Sequence, residues 1–148
     1  MIASPIKLTA SFAVPAAVVW DHLTCPEKIS HWMGQELDIH LETDWTIGGR
    51  FVLRAFHIAQ FENTGKVLDF DPKRRLQYTY KDSISRLPDV PSSYTTLTFQ
   101  LKESGQETDL CLTIEGFPTE TIFHHLNFYW RGAMVRLKDM AESSPVSA

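Results

Sequence analysis

The sequence predicts an α+β fold: a curved antiparallel sheet wrapped around one long C-terminal helix, with two short helices after the first strand. Three observations carry that expectation. Between residues 36 and 115, apolar residues alternate with polar ones in successive short runs, the mark of strands with one wet face. Short turn signals, Gly48-Gly49, Asp71-Pro72 and Glu103-Ser104-Gly105, join several of these runs and make neighbours antiparallel. From about residue 120 to 142 the apolar spacing changes to three and four. Ile122, Leu126, Tyr129, Ala133, Leu137 and Met140 then form one stripe. A helix of that length spans about 35 Å, enough to cross a sheet that needs its inner face covered.

The elements follow in order. A first strand lies near Leu8 to Val14, and Pro15 suits a first helical position, where its missing N–H costs little. Ala16, Val19, Trp20 and Leu23 keep helical spacing until Thr24-Cys25-Pro26 interrupts it. A second short helix then carries Glu27 in its first turn and stops at Gly34. Leu37, Ile39 and Leu41 alternate with Glu36, Asp38, His40 and Glu42. Phe51, Leu53, Ala55 and His57 share one parity, with Arg50, Val52 and Arg54 on the wet side. Asn63 to Gly65 reads as a turn leading into a strand through Val67 to Phe70. Leu76, Tyr78 and Tyr80 point one way, against Gln77, Thr79 and Lys81. Residues 82 to 93, rich in proline, serine and aspartate, read as an exposed loop. Two more strands follow, with Leu97, Phe99 and Leu101, then Leu110, Leu112 and Ile114, on the inner face. Pro118 and Thr119 start the long helix, and Arg136 and Lys138 complement the negative end of its dipole.

Composition narrows the function classes. A chain of 148 residues that is 43% hydrophobic suits a single domain spanning 1–148. Its net charge of −4 argues against nucleic-acid binding, and the run Lys73-Arg74-Arg75 reads as a solvated turn. No stretch approaches the roughly 18 apolar residues of a membrane span, and the N-terminus lacks the apolar run of a signal peptide. Cys25 and Cys111 lie far apart and match no metal or redox pattern, so free thiols in a reducing, cytoplasmic compartment are expected, with Cys111 as strand packing. His124 and His125 point about 100° apart on one helix and cannot chelate one ion together. With no HExxH and no paired cysteines, neither a metal nor another cofactor is expected.

The chain carries, in order, Pro15-Ala16-Ala17-Val18-Val19-Trp20-Asp21-His22-Leu23-Thr24, Pro26-Glu27, Trp32, Gly48-Gly49-Arg50-Phe51, Gly65-Lys66-Val67 and Asp71-Pro72-Lys73-Arg74-Arg75-Leu76. The helix bearing Trp130, Leu137 and Lys138 completes the set. In this order and spacing these strings resemble the START-like (SRPBCC) superfamily. Within it they are similar to the group related to the C-terminal domain of the activator of the ninety-kilodalton heat-shock protein's ATPase. The likeness spans about residues 8 to 142. It implies a helix-grip fold with a cavity between sheet and helix, in a superfamily whose members bind lipids, hormones or polyketides or dock on proteins. It implies no shared catalytic motif, since the fold hosts unrelated functions. The chain departs from the pattern at Tyr80, where the sheet often carries a tryptophan.

The candidate site is therefore the space under the long helix. Polar groups at inward positions are His57, Tyr78, Tyr80 and Asn127, the last on the helix flank with Phe123, Trp130 and Met134. Trp32, Trp45, Phe51, Leu53 and Phe117 add apolar wall. The expected function is binding of a small, largely apolar molecule. One alternative is an interaction module for a chaperone or another protein. The other is a cyclase- or hydrolase-like enzyme with His57 as general base, although no catalytic motif supports it. The chain is expected to act as a monomer or a homodimer.

Overall fold

The computed structural model describes residues 5–33, 38–56, 60–82 and 87–143. It contains β1 (Ile6–Phe12), α1 (Ala16–Thr24), α2 (Pro26–Met33), β2 (Asp38–Glu42), β3 (Arg50–Phe56), β4 (Gln60–Asp71), β5 (Arg75–Asp82), β6 (Thr95–Ser104), β7 (Glu107–Glu115) and α3 (Glu120–Ser143). A short 3-10 turn at Pro91–Ser93 precedes β6. The seven strands form one antiparallel sheet in the order β1-β7-β6-β5-β4-β3-β2, with α3 packed on its inner face: the helix-grip fold.

The core sits between that face and the three helices. Alternation decides which side chains reach it: Leu8 and Phe12 of β1, Leu97 and Phe99 of β6, and Leu110, Leu112 and Ile114 of β7 are all buried, with polar neighbours between them. From α3 come Leu126, Trp130, Ala133, Met134, Leu137 and Ala141. The buried line on α3 is thus rotated from the expected stripe. Ile122, Tyr129 and Met140 are only half-buried, and Trp130, Met134 and Ala141 take the fully buried positions instead.

Helix ends are satisfied by side chains distant in sequence. Pro15 is the N-cap of α1 rather than its first helical residue, and no side chain of its own can cap. Glu103, at the far end of β6, supplies the missing acceptor: its Oε2 takes the Ala16 N–H at 2.7 Å, a carboxylate at a positive helix end. Thr119 caps α3 through the Ile122 N–H at 3.1 Å.

Four other expectations are corrected. β1 starts at Ile6 and ends at Phe12 rather than Val14, pairing with β7 over that whole span. The next amide, that of Ala13, leaves the ladder and donates to the Glu142 carboxylate of α3 at 2.8 Å. Asn63 to Gly65 form no turn, for β4 runs unbroken through them. Val52, expected on the wet side, is 2% exposed, and like Val67 it lies outside the main core cluster. Cys111 is not core packing: with Leu110 and Leu112 turned inward, strand parity puts its half-buried thiol on the outer face, between Thr9 and Gln100. Cys25 and Cys111 are both free thiols. Among the described residues no helix is long and apolar enough to cross a membrane.

Candidate functional site

A chain of ring contacts crosses the interior from the sheet to the helices. Phe51 stacks on Tyr78 with centroids 4.2 Å apart and planes 15° apart. Tyr78 lies 5.9 Å from Phe99, and Phe99 meets Trp130 edge-on at 5.8 Å. Trp130 then reaches Trp32 of α2 at 5.9 Å. At the β3 end Trp45 stacks on Phe70 at 5.6 Å and approaches both Phe51 and Tyr78. Strand pairing creates the row: Tyr78 pairs with Leu97 and Leu76 with Phe99, so Tyr78 and Phe99 are diagonal neighbours on the inner face. Such offset and edge-on pairs add about 0.5–1.5 kcal/mol each beyond area burial.

The polar atoms of these rings are mostly committed to helix ends. The Trp32 indole N–H donates to the His22 carbonyl at 2.7 Å, and that of Trp45 to the Thr24 carbonyl at 2.9 Å. The Tyr129 hydroxyl donates to the Met33 carbonyl at 2.7 Å, and Arg136 Nε to the Trp32 carbonyl at 2.7 Å. The last carbonyls of α2 are therefore capped from α3, and the Arg136 guanidinium also sits 5.7 Å from the Tyr129 ring centre. Trp130 differs. Its Nε1 is buried and has no hydrogen-bond partner among the described residues.

Burial governs the tyrosines. It pushes the Tyr78 phenol well above its ordinary range, and the nearby Tyr80 and Tyr129 phenols add to the shift. Burial also raises Tyr129, to about 12, while the Arg136 guanidinium offsets part of the rise. Both phenols are therefore neutral donors near pH 7. A phenol whose folded pKa exceeds its unfolded value of about 10 supports the fold below pH 10 and loses that contribution as pH rises through 12. Wild-type stability in urea should accordingly fall by about 2–3 kcal/mol more than that of Tyr129→Phe between pH 9 and 12. Equal slopes for the two proteins would place the Tyr129 ring in water.

Of the residues expected at the site, the structure brings Trp32, Trp45, Phe51, Tyr78 and Trp130 into one connected cluster. Leu53 and Tyr80 are half-buried against the same core, and Met134 is buried beside it. Phe117 and Phe123 form a separate edge-on pair at 5.0 Å, near the start of α3. Asn127 is otherwise engaged: its Oδ1 accepts the Arg131 Nε–H at 3.0 Å, four residues along the same helix. His57 lies outside the described residues. Phe99, Tyr129 and Arg136 belong to the arrangement without being among the expected site residues. Phe99 was legible as an inward strand position, whereas the capping roles of Tyr129 and Arg136 depend on α2 lying alongside α3.

Among the described residues no three potential metal ligands gather. The outer face of β1, β7 and β6 carries an open groove of about 520 Å³ around Thr9, Gln100, Asp109 and Cys111, where the Ser11 hydroxyl donates to Asp109 at 2.8 Å. Phe128 and Val135 stand exposed on the outer side of α3.

Comparison with known proteins agrees with this architecture. No curated protein matches the sequence. The solution structure of ChR145 from Cytophaga hutchinsonii is similar over 96% of both chains, at a TM-score of 0.79 and 24% identity. CV1439 from Chromobacterium violaceum superposes at 0.79 with 19% identity, over 95% of this chain and 98% of its own. CalU16 from Micromonospora echinospora does so at 0.69 with 24% identity, over 94% and 76%. At these identities the likeness establishes the fold alone. The family model described as Activator of Hsp90 ATPase homolog 1-like protein matches residues 13–142. The chain belongs to that family, within the START-like (SRPBCC) superfamily.

Proposed function

We propose that the protein binds a small, largely apolar molecule between the inner face of the sheet and α3. The superfamily's fold is that of ligand-binding domains in general. One observation in this chain carries the finer reading: the Trp130 indole N–H is buried with no partner among the described residues, on a ring that meets those of Trp32, Phe99 and Tyr129. An unmet buried donor costs about 1–3 kcal/mol, so a folded chain that carries one has reason to use it. Ligand pockets combine such a polar point with aromatic walls.

Fluorescence titration with the neutral probe N-phenyl-1-naphthylamine tests the reading. Saturable binding of one probe per chain, with quenching of tryptophan emission, is the expected result. Absence of saturable binding, together with native mass spectra showing only bare chain, would reject it.

A further inference from the structure

Resting on that reading, we propose that the molecule held under α3 is uncharged and offers a hydrogen-bond acceptor, such as a ketone, quinone or ester carbonyl, to the Trp130 indole N–H. Among the described residues the walls supply donors and no buried lysine or arginine. An indole nitrogen can only donate. Trp32 and Trp45 have already spent their N–H groups on backbone carbonyls, at 2.7 and 2.9 Å, whereas the buried Trp130 N–H has no partner among the described residues. The buried phenol of Tyr78, whose ring lies 5.9 Å from Phe99, is neutral at pH 7 and is a second donor in the same row.

Charge argues in the same direction. The buried polar residues among those described are His22, Ser93, Thr95, Thr98 and Thr108, with no lysine or arginine. The His22 ring is engaged with the Val18 carbonyl at 2.9 Å. Arg136, the cation nearest the aromatic cluster by its contacts, is bound to the Trp32 carbonyl and lies against Tyr129 at the α2–α3 junction. A carboxylate entering this interior would shed its hydration without a buried counter-charge among the described residues. A carbonyl sheds far less and meets a waiting donor.

Three naphthalenes of nearly one shape separate the possibilities: 2-acetylnaphthalene, 2-isopropylnaphthalene and 2-naphthoate. Each is titrated by competition with the fluorescent probe at pH 7.5, against wild type and Trp130→Phe. Wild type should bind the ketone about tenfold more tightly than the hydrocarbon, the worth of one good buried hydrogen bond, and the carboxylate least. Trp130→Phe should erase the ketone's advantage over the hydrocarbon, read as the ratio of the two affinities within the variant. The proposal is overturned if wild type holds hydrocarbon and ketone equally, as it would were the N–H spent on the face of the Phe99 ring. A carboxylate that binds tightest, or a ketone preference that survives Trp130→Phe, overturns it equally. In those cases binding itself persists and the broader reading stands. If none of the three competes with a probe that binds, this proposal falls and the broader reading stands, whereas absence of probe binding rejects both. Should Trp130→Phe fail to fold, the wild-type order decides alone.

Discussion

Trp130→Ala is expected to lower the unfolding free energy by about 3–5 kcal/mol, measured by urea denaturation. Trp130 is 2% exposed and its ring touches those of Trp32, Phe99 and Tyr129. Truncation removes the surface that joins α2, α3 and the sheet, and its neighbours are themselves rigid rings that collapse poorly into the space left. Against a typical stability of about 5–15 kcal/mol, that loss brings the chain near its unfolding threshold. Trp130→Phe should behave differently, because it keeps much of the ring volume and removes the unmet donor. A loss below about 1.5 kcal/mol for the alanine variant would mean that one side of the indole already borders empty space, with no contacts there to forfeit.

Gly65→Ala is the second large effect, an expected loss of about 3 kcal/mol or more, seen as a fall in melting temperature and in soluble yield. A Cβ at Gly65 would lie 1.7 Å from the Thr79 carbonyl oxygen and 2.9 Å from the Tyr80 Cα. Both obstacles are backbone of β5, so no side-chain rotation relieves the clash. Ladder pairing between β4 and β5 keeps one register from Asn63–Asp82 through Thr64–Lys81 to Val67–Tyr78, and it shifts only beyond Gly65, between Val67 and Asp69. At Gly65 the two backbones press together, which glycine allows and any other residue opposes. The site should respond too, since Tyr78 and Tyr80 ride on the displaced strand and Phe51 pairs with Gly65. A variant with wild-type melting and probe affinity would show that the strands can separate there at little cost.

Gly65 also shows where reading the chain as text goes astray. Asn-Thr-Gly looks like a turn because those residues favour turns locally, and nothing nearby in sequence reveals that β5 crosses within contact of that glycine. The same limit explains the helix ends. Pro15 marks the start of α1, but the cap that Glu103 provides across 87 residues is hidden from the local sequence. Tyr129 belongs to the helical stripe by its ring, while its hydroxyl and Arg136 gain their roles only because α2 lies beside α3. Asn127 sits on the helix as its spacing requires, yet Arg131, one turn away, occupies its amide.

The order of strands and helices and most of the inward strand rows follow from the chain alone, whereas Val52, the strand through Asn63 to Gly65 and the rotation of α3 do not. Periods of two and of about three and a half are local properties of chain geometry, readable wherever one face must avoid water. The sequence therefore sufficed for the antiparallel strands, for the long helix at Glu120–Ser143, and for the membership of Trp32, Phe51, Tyr78 and Trp130 in one interior. Only the tertiary structure decided which polar atoms in that interior are satisfied. Trp32, Trp45 and Trp130 carry identical N–H groups, and whether a carbonyl stands within hydrogen-bond reach of each depends on distances between elements far apart in the chain. That difference, invisible in composition or periodicity, singles out Trp130.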